Sequence, residues 1–272
     1  MQLSVFGSTG FIGSNFLKLY PKNIPIEKNK LSPKSKNILY LISTVDNYNI
    51  FDDITKDVKT NLEHLCKILE ECKSKDITFN FISSWFVYGK THNLPAKETD
   101  PCNPKGFYSI TKKCAEDLLI SFCETFHVKY RIIRLCNVLG KGDIKASAKK
   151  NAITWMINQI KENKPINLYN GGLVYRDFLH VQDVCQAINL ICENGQKNKI
   201  YNVSSGKPTN VKSIIDLAYE FTNSRSIINN IQPPEFHSIV QNQDFWMDNQ
   251  NLVNLGFIQK ISLEETIKEL CR

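Results

Sequence analysis

The sequence has no hydrophobic run that could cross a bilayer. Stretches such as ILYLI (38–42) stop far short of the roughly 20 apolar residues a membrane helix needs. No basic leader precedes the first apolar segment; the chain opens MQLSVFGSTGFIGS, so a signal peptide is not expected. The nine cysteines (Cys66, Cys72, Cys102, Cys114, Cys123, Cys136, Cys185, Cys192 and Cys271) form no C-x-x-C pair. Odd in number and scattered, they lack zinc spacing and do not form a disulfide framework. Reduced thiols in a reducing cytoplasm fit them, and among apolar residues a thiol acts as a small hydrophobe. Histidine is scarce. His64, His92, His127 and His237 have no metal-ligand spacing and are expected at the surface or as hydrogen-bonded core residues, so no metal is expected. The formal charge is +7, yet no dense basic run with interleaved aromatics accompanies it. The charge therefore reads as a lysine-rich surface suited to anionic small molecules, with neither nucleic acid nor membrane as partner. Internal repeats and low-complexity tracts are also missing.

What is present is ordinary in bulk. The 272 residues are 42% hydrophobic and 22% charged, as in a soluble globular protein of one large domain or two closely joined ones. LSVF (3–6) reads as a buried strand that runs into GSTGFIGSNFLKLY, where Gly7, Gly10 and Gly13 are followed by a helical pattern. Strand, glycine turn and helix form the context of a dinucleotide site. The glycines let the backbone approach a pyrophosphate, and the helix N-terminus offers it free N–H groups. IPIEK (24–28) reads as a short strand, and NKLSPKSKN as loop. ILYLI follows Glu27 after only about ten residues, too few for a full crossover, so one βα unit is missing or shrunken. Helices are expected over 57–72 (face Leu62, Leu65, Ile68, Leu69) and 108–126 (face Cys114, Leu118, Phe122, Phe126), with strands over 77–83 and 130–136. Beyond these, helices are expected near 151–162, after Asp183 and near 211–222, and strands near 166–169, 174–181 and 200–204. Ser262 and Glu265 form a capping box for the last helix. The alternation predicts an α/β, Rossmann-type, doubly wound parallel sheet, somewhat shortened, with a smaller α/β unit in the C-terminal half.

One pair invites chemistry. In NPKGFYSITKKCAEDLL, Tyr108 and Lys112 stand four residues apart at a helix start, so phenol and ammonium are neighbours. Ser83 and Ser84 end the preceding strand, on the rim where parallel sheets bind ligands. Hydroxyl, phenol and ammonium then face the glycine loop.

Seven segments in order, GSTGFIGS, TNLEHLCKILEEC, FISSWFVYG, YSITKKCAE, RLCNVLG, YRDFLHVQDV and YNVSSGKPTNV, resemble the extended short-chain dehydrogenase/reductases. Within these the chain is similar to the NAD(P)-dependent epimerase/dehydratase group, which acts on nucleotide sugars. The resemblance implies Ser84, Tyr108 and Lys112 as catalytic residues. It implies a cofactor site of Gly7, Gly10, Phe11, Ile12 and Gly13, joined by Ser43, Asn61 and Leu135 and by Tyr108 and Lys112. It implies substrate contacts from Ser84 and Trp85, with Asn137 on the substrate phosphate and Arg176 on the nucleotide diphosphate. His180 and Asp183 recur in the family's pattern with a structural role, Asp183 as an N-cap. A free phenol titrates near 10; a neighbouring Lys112 cation and a cationic nicotinamide are expected to favour phenolate. A pKa lower by about 3 corresponds to about 4 kcal/mol.

Departures from the pattern narrow the reaction. Trp85 and Phe86 stand where the group's 4,6-dehydratases carry Asp-Glu, which argues against a dehydratase. Glu27 is the candidate ribose acid by its offset. Lys28, Lys30, Lys34 and Lys36 nearby suit a 2′-phosphate, so the expected cofactor is NAD(P), with NADPH preferred. The usual arginine before the last helices is missing, and only His237 stands near. The expected domains are 1–139 for the dinucleotide and 140–272 mainly for substrate, part of 176–205 packing back on the first. The leading reaction is reduction of a nucleotide-linked 4-keto-hexose. The alternatives are C4 epimerisation on retained NAD, or a non-catalytic dinucleotide-binding regulator. A cytoplasmic homodimer is expected.

Overall fold

Runs of β-branched and aromatic residues bury themselves on both faces of one parallel sheet, and helices cover them. The computed structural model describes residues 1–272 apart from 74, 92, 145 and 242; His92 thus lies outside the described residues. β1 (Leu3–Phe6) is buried throughout, and the glycine turn leads from it into α1 (Phe11–Leu19). β2 is only Ile24–Pro25, shorter than the expected 24–28. Pro25 has no amide hydrogen, which confines such a strand to a sheet edge. From 26 to 36 the chain loops back without a helix, Lys34 N donating to Ser4 Oγ at 2.9 Å. β3 (Asn37–Tyr40) then pairs with the other side of β1, so one βα unit is indeed absent.

The next helix starts as a wide π-helical segment, Val58–Glu63, before α2 (His64–Glu70) buries Leu65, Ile68 and Leu69. β4 (Thr78–Ser84), α3 (Phe107–Thr125) and β5 (Lys129–Leu135) follow. The buried stripe of α3 is Tyr108, Lys112, Ala115, Leu119 and Cys123. The expected face through Cys114 and Leu118 is rotated away; Leu118 is 38% exposed. The sheet accounts for the difference, because it takes the side of α3 that carries the small Ala115 and lets the helix approach.

After β6 (Asn137–Leu139) come α4 (Ala152–Lys161), β7 (Ile166–Tyr169), β8 (Tyr175–Arg176) and β9 (Phe178–His180). The expected strand 174–181 is thus split. Asp177 stands at the break, its buried carboxylate accepting from Ser205 N and Oγ at 2.9 and 2.6 Å. α5 (Val181–Asn194) begins before Asp183, because the His180 ring caps it by accepting from Gln182 N at 3.2 Å. Asp183 is therefore no N-cap. Its fully buried carboxylate accepts from Lys260 N and Ile261 N at 3.1 and 2.9 Å, pinning a distant loop. β10 (Lys199–Val203) rejoins the first sheet beside β5. β11 (Thr209–Asn210), α6 (Val211–Thr222), β12 (Ile228–Ile231), α7 (Glu235–Val240), α8 (Gln250–Asn254) and α9 (Leu263–Cys271) complete the chain. Ser262 and Glu265 make the expected capping box on α9.

The six-stranded sheet runs β10-β5-β4-β3-β1-β2, all parallel. One core packs α1 and α5 against it and a second packs α2 and α3 on the other face; a third lies among α4, α6 and α9. From β1 the chain goes first to β2 and then to β3, on opposite sides, so the strand order reverses between β1 and β3. A crevice opens there at the C-terminal strand ends.

Asp183→Ala would leave the Lys260 and Ile261 amides without their buried charged acceptor. Urea unfolding should show a loss of about 3 kcal/mol; an unchanged midpoint would mean that those amides are held in another way.

Candidate active site

The crevice is a cleft of about 520 Å³, and the glycine turn forms one wall of it. Gly7 has φ +81°, which favours glycine, and a Cβ there would lie a tight 3.1 Å from the backbone of Leu41 and Ile42 just past β3. Gly10 N donates to Gly7 O at 3.1 Å. A Cβ on Gly13 would stand 2.3 Å from that same oxygen, which requires glycine where α1 leans on the turn. No side chain caps α1, and no acid stands in its first turn. The N–H groups at its start lack helical partners, and Phe11, Ile12 and Gly13 line the cleft. The bare cradle and the uncapped positive helix end fit a dinucleotide pyrophosphate.

The facing wall carries the expected polar residues. Ser84 ends β4, and Tyr108 opens α3 one residue after the helix start. Gly106 makes that start possible; a Cβ there would meet Asn47 Oδ1 at 2.1 Å. The structure brings Ser84, Tyr108, Lys112, Ser43 and Leu135 together in the cleft. Burial pushes the Tyr108 phenol up to about 12, against the opposing pull of its hydrogen bonds to Ser84 and Ser43. The expected fall toward phenolate counted on a cationic nicotinamide as well as Lys112, and the protein's own groups do not bring it about. Lys112 is itself buried, and desolvation lowers it to about 7 against the opposing pull of Glu116. Its Nζ donates to Ile82 O at 2.6 Å and lies 4.1 Å from the centre of the Phe81 ring.

Asn61 works behind this rim. Its Nδ2 donates to Thr44 Oγ1 and Thr111 Oγ1 at 2.8 and 2.9 Å, and its Oδ1 accepts from Thr44 N and Ser43 Oγ at 2.9 and 3.0 Å. It ties the Ser43–Thr44 strand end to α3 and does not cap a helix.

The expected substrate residues divide. Trp85 and Asn137 line the cleft. Trp85 stacks on Phe86 and Phe245 at 3.9 and 4.9 Å, and the Asn137 amide donates to Asp177 O at 2.9 Å. Arg176 does not line it. The guanidinium donates to the carbonyls of Tyr175, Gln241 and Gln243 and lies 5.4 Å from the Trp85 ring; burial lowers its pKa to about 10. His237 is held by the Tyr48 hydroxyl at 2.9 Å. Burial, aided by Arg176, pushes its pKa down to about 4, so it does not supply the charge of the missing arginine at neutral pH. Sequence reasoning missed the loop at the cleft mouth, where Asp143 accepts from Asn151 Nδ2 at 2.9 Å; the GKGD turn after RLCNVL was its only signal. Among the described residues no cluster suits a metal ion and no helix is long and apolar enough to cross a membrane.

The model of the family described as "NAD dependent epimerase/dehydratase family" matches residues 34–204. A Methanocaldococcus jannaschii protein with a provisional UDP-glucose 4-epimerase name is 28% identical, over 99% of this chain and 97% of its own. GDP-6-deoxy-D-mannose reductase of Pseudomonas aeruginosa is 30% identical, over 61% of this chain and 57% of its own. In fold, the chain is similar to UDP-glucose 4-epimerase of Thermotoga maritima, solved with UDP-glucose: TM-score 0.89 at 21% identity, covering 100% of this chain and 97% of that one. Other solved neighbours are complexes with NAD or with NADPH.

Gly10→Val tests the cradle. Gly10 has an ordinary φ of −75°, so the variant is expected to fold. The added side chain stands where the backbone must approach a phosphate, and fluorescence titration should show dinucleotide affinity at least about tenfold weaker, the equivalent of 1.4 kcal/mol. Unchanged affinity in the folded variant would make the glycine loop an empty turn.

Proposed function

This chain belongs to the NAD dependent epimerase/dehydratase family, whose members act on nucleotide sugars, and we propose that it reduces a 4-keto sugar linked to a nucleotide. The observation that carries this reading is Tyr108, buried at the start of α3 and sharing the cleft with Ser84, Ser43 and Lys112 beside the glycine cradle. When bound, the dinucleotide exchanges hydride with the sugar carbon through its nicotinamide. The protein's residues manage the oxygen. Ser84 donates a hydrogen bond to the carbonyl oxygen. Tyr108, protonated at neutral pH in this apolar wall, hands its proton to that oxygen as the alcohol forms. Lys112 backs the phenol from below, and Asn61 keeps the Ser43 strand end in register with α3. Trp85 and Phe86 offer no carboxylate for water elimination, which speaks against a dehydratase. An intact Ser84, Tyr108 and Lys112 set speaks against a non-catalytic regulator.

Reduction is favoured over epimerisation by the adenosine side of the cleft. β2 has two residues, and no helix follows it. Fewer contacts there suit a cofactor that leaves after each turnover. Lys28 and Lys30 are exposed on the loop just after β2, which supports NADPH over NAD, whereas Lys36, just before β3, stands at the opposite ends of the strands and pairs with Asp76 at 2.7 Å. C4 epimerisation on retained NAD is the second reading, supported by the full-length similarity to a protein with an epimerase name. We assign 1–139 to the dinucleotide and 140–272 mainly to substrate, with part of 176–205 packing back. Asn137 and Arg176 are assigned to the substrate phosphates, Arg176 after release from its carbonyl ligands. The cytoplasm is the proposed location, consistent with nine free thiols. Ile110, Cys114 and Leu118 form an outward stripe on α3, which supports a homodimer; sedimentation velocity of the purified protein, where a monomer would refute it, tests this.

Purified and desalted protein should carry little dinucleotide and should oxidise NADPH in equal amount with a 4-keto nucleotide sugar. Tyr108→Phe should lower turnover at least about 100-fold with NADPH affinity nearly unchanged. Most of the turnover surviving in that variant would remove Tyr108 from the mechanism. Stoichiometric NAD surviving gel filtration, with sugar epimers interconverting and no net cofactor used, would establish epimerisation.

A further inference from the structure

The Lys112 ammonium sits where charge is expelled. It is buried between α3 and the sheet, with one carbonyl and one aromatic face as its contacts on β4. One turn further along α3, at i+4, stands Glu116, also buried. Its two oxygens receive a fork from Arg134 on β5: Nε to Oε1 at 3.0 Å and Nη2 to Oε2 at 2.7 Å. Arg134 faces Ser83 across the β4–β5 register. Its guanidinium is covered by the Tyr88 ring at 4.6 Å and donates to Glu98 O at 3.5 Å. The fork fixes the carboxylate in place. An unpaired carboxylate at such depth would take up a proton.

We propose that Arg134 and Glu116 are positioning residues for Lys112. Arg134 holds an ionised carboxylate one turn from the ammonium, and that fixed negative charge keeps Lys112 charged in an apolar site. The groups around Lys112 leave no other source. On its own helix stand Tyr108 and Glu116, and on β5 Arg134. The TFNFISS strand of β4 has no charged side chain. The turn after β4 offers the neutral Tyr88, and Asp57, at the start of the segment before α2, acts on Tyr108. Glu116 opposes the desolvation of Lys112, in agreement with the geometry. The alternative is that the pair only fastens α3 to β5. A buried pair adds little net stability over apolar residues of the same volume, so fastening alone gives no reason for charges here. The meaning for catalysis rests on Lys112 acting as proposed above; the electrostatic linkage does not.

The test therefore uses no substrate. In protein labelled with 13C-lysine, the Cε resonance of Lys112, assigned by its loss in Lys112→Met, reports its titration. The wild-type midpoint is expected near 7, apart from surface lysines at about 10.4. Glu116→Gln removes the negative charge and leaves Arg134 bare, so the midpoint should fall by about one pH unit or more. The double variant Glu116→Leu/Arg134→Met keeps apolar volume and no charge, and there too the midpoint should fall. If Glu116→Gln does not fold, the double variant decides alone. A midpoint that stays at the wild-type value in either folded variant, whatever happens to its melting temperature, overturns the proposal. Absence of reductase activity would instead count against the reaction named above and leave this linkage standing.

Discussion

The carbonyl oxygen of Gly7 is the point at which strand, turn and helix meet. It accepts the Gly10 amide, and the bare Cα of Gly13 passes so close that a methyl group would overlap it. This single close approach aims the open end of α1 across the ends of β1 and β3. Everything on the opposite wall is set relative to it: the end of β4 with Ser84, and the start of α3 with Tyr108. The same demand for bare backbone recurs where Gly106 passes Asn47 at the start of α3. Both contacts need a glycine: one lets α1 lean on the turn, the other lets the start of α3 pass the Asn47 side chain.

Much of this was legible because it is local. Glycine spacing after an apolar strand, a tyrosine and lysine at i,i+4, and a Ser-x-x-Glu box each act within one turn of chain, and each appears where the pattern put it. The missing βα unit was also legible, from chain length alone. What escaped depended on distant partners. His180 caps α5 because its ring points back onto Gln182, and Asp183 is free to pin Lys260 and Ile261, nearly eighty residues on. The face of α3 was misjudged because large apolar residues were counted, whereas the sheet selected the small Ala115 side. Arg176 was expected at a ligand and is found against three backbone carbonyls, a contact that depends on where the distant Gln241 and Gln243 lie.

The electrostatics of the site show which effect wins in a narrow apolar wall. A cation four residues from a phenol suggests an acidified phenol, but burial acts on both partners. It pushes the phenol up and the lysine down, and in each case burial is the largest cause. A phenol so placed holds its proton more firmly than one in water. Buried Arg134 and Glu116 supply fixed charge where no exposed pair would reach.

The two-residue β2 also affects how the protein meets other copies of itself. A parallel sheet ends in a row of unpaired amides and carbonyls that another extended chain can extend. Here the outermost strand is too short to serve as a template, and Pro25 removes one of its donors. The loop from 26 to 36 then folds back onto β1 and places lysines along that border. The shortened strand and missing helix thus leave an edge that is blunt and lysine-rich, a safeguard against sheet-to-sheet aggregation at the high local concentrations of a freshly made chain.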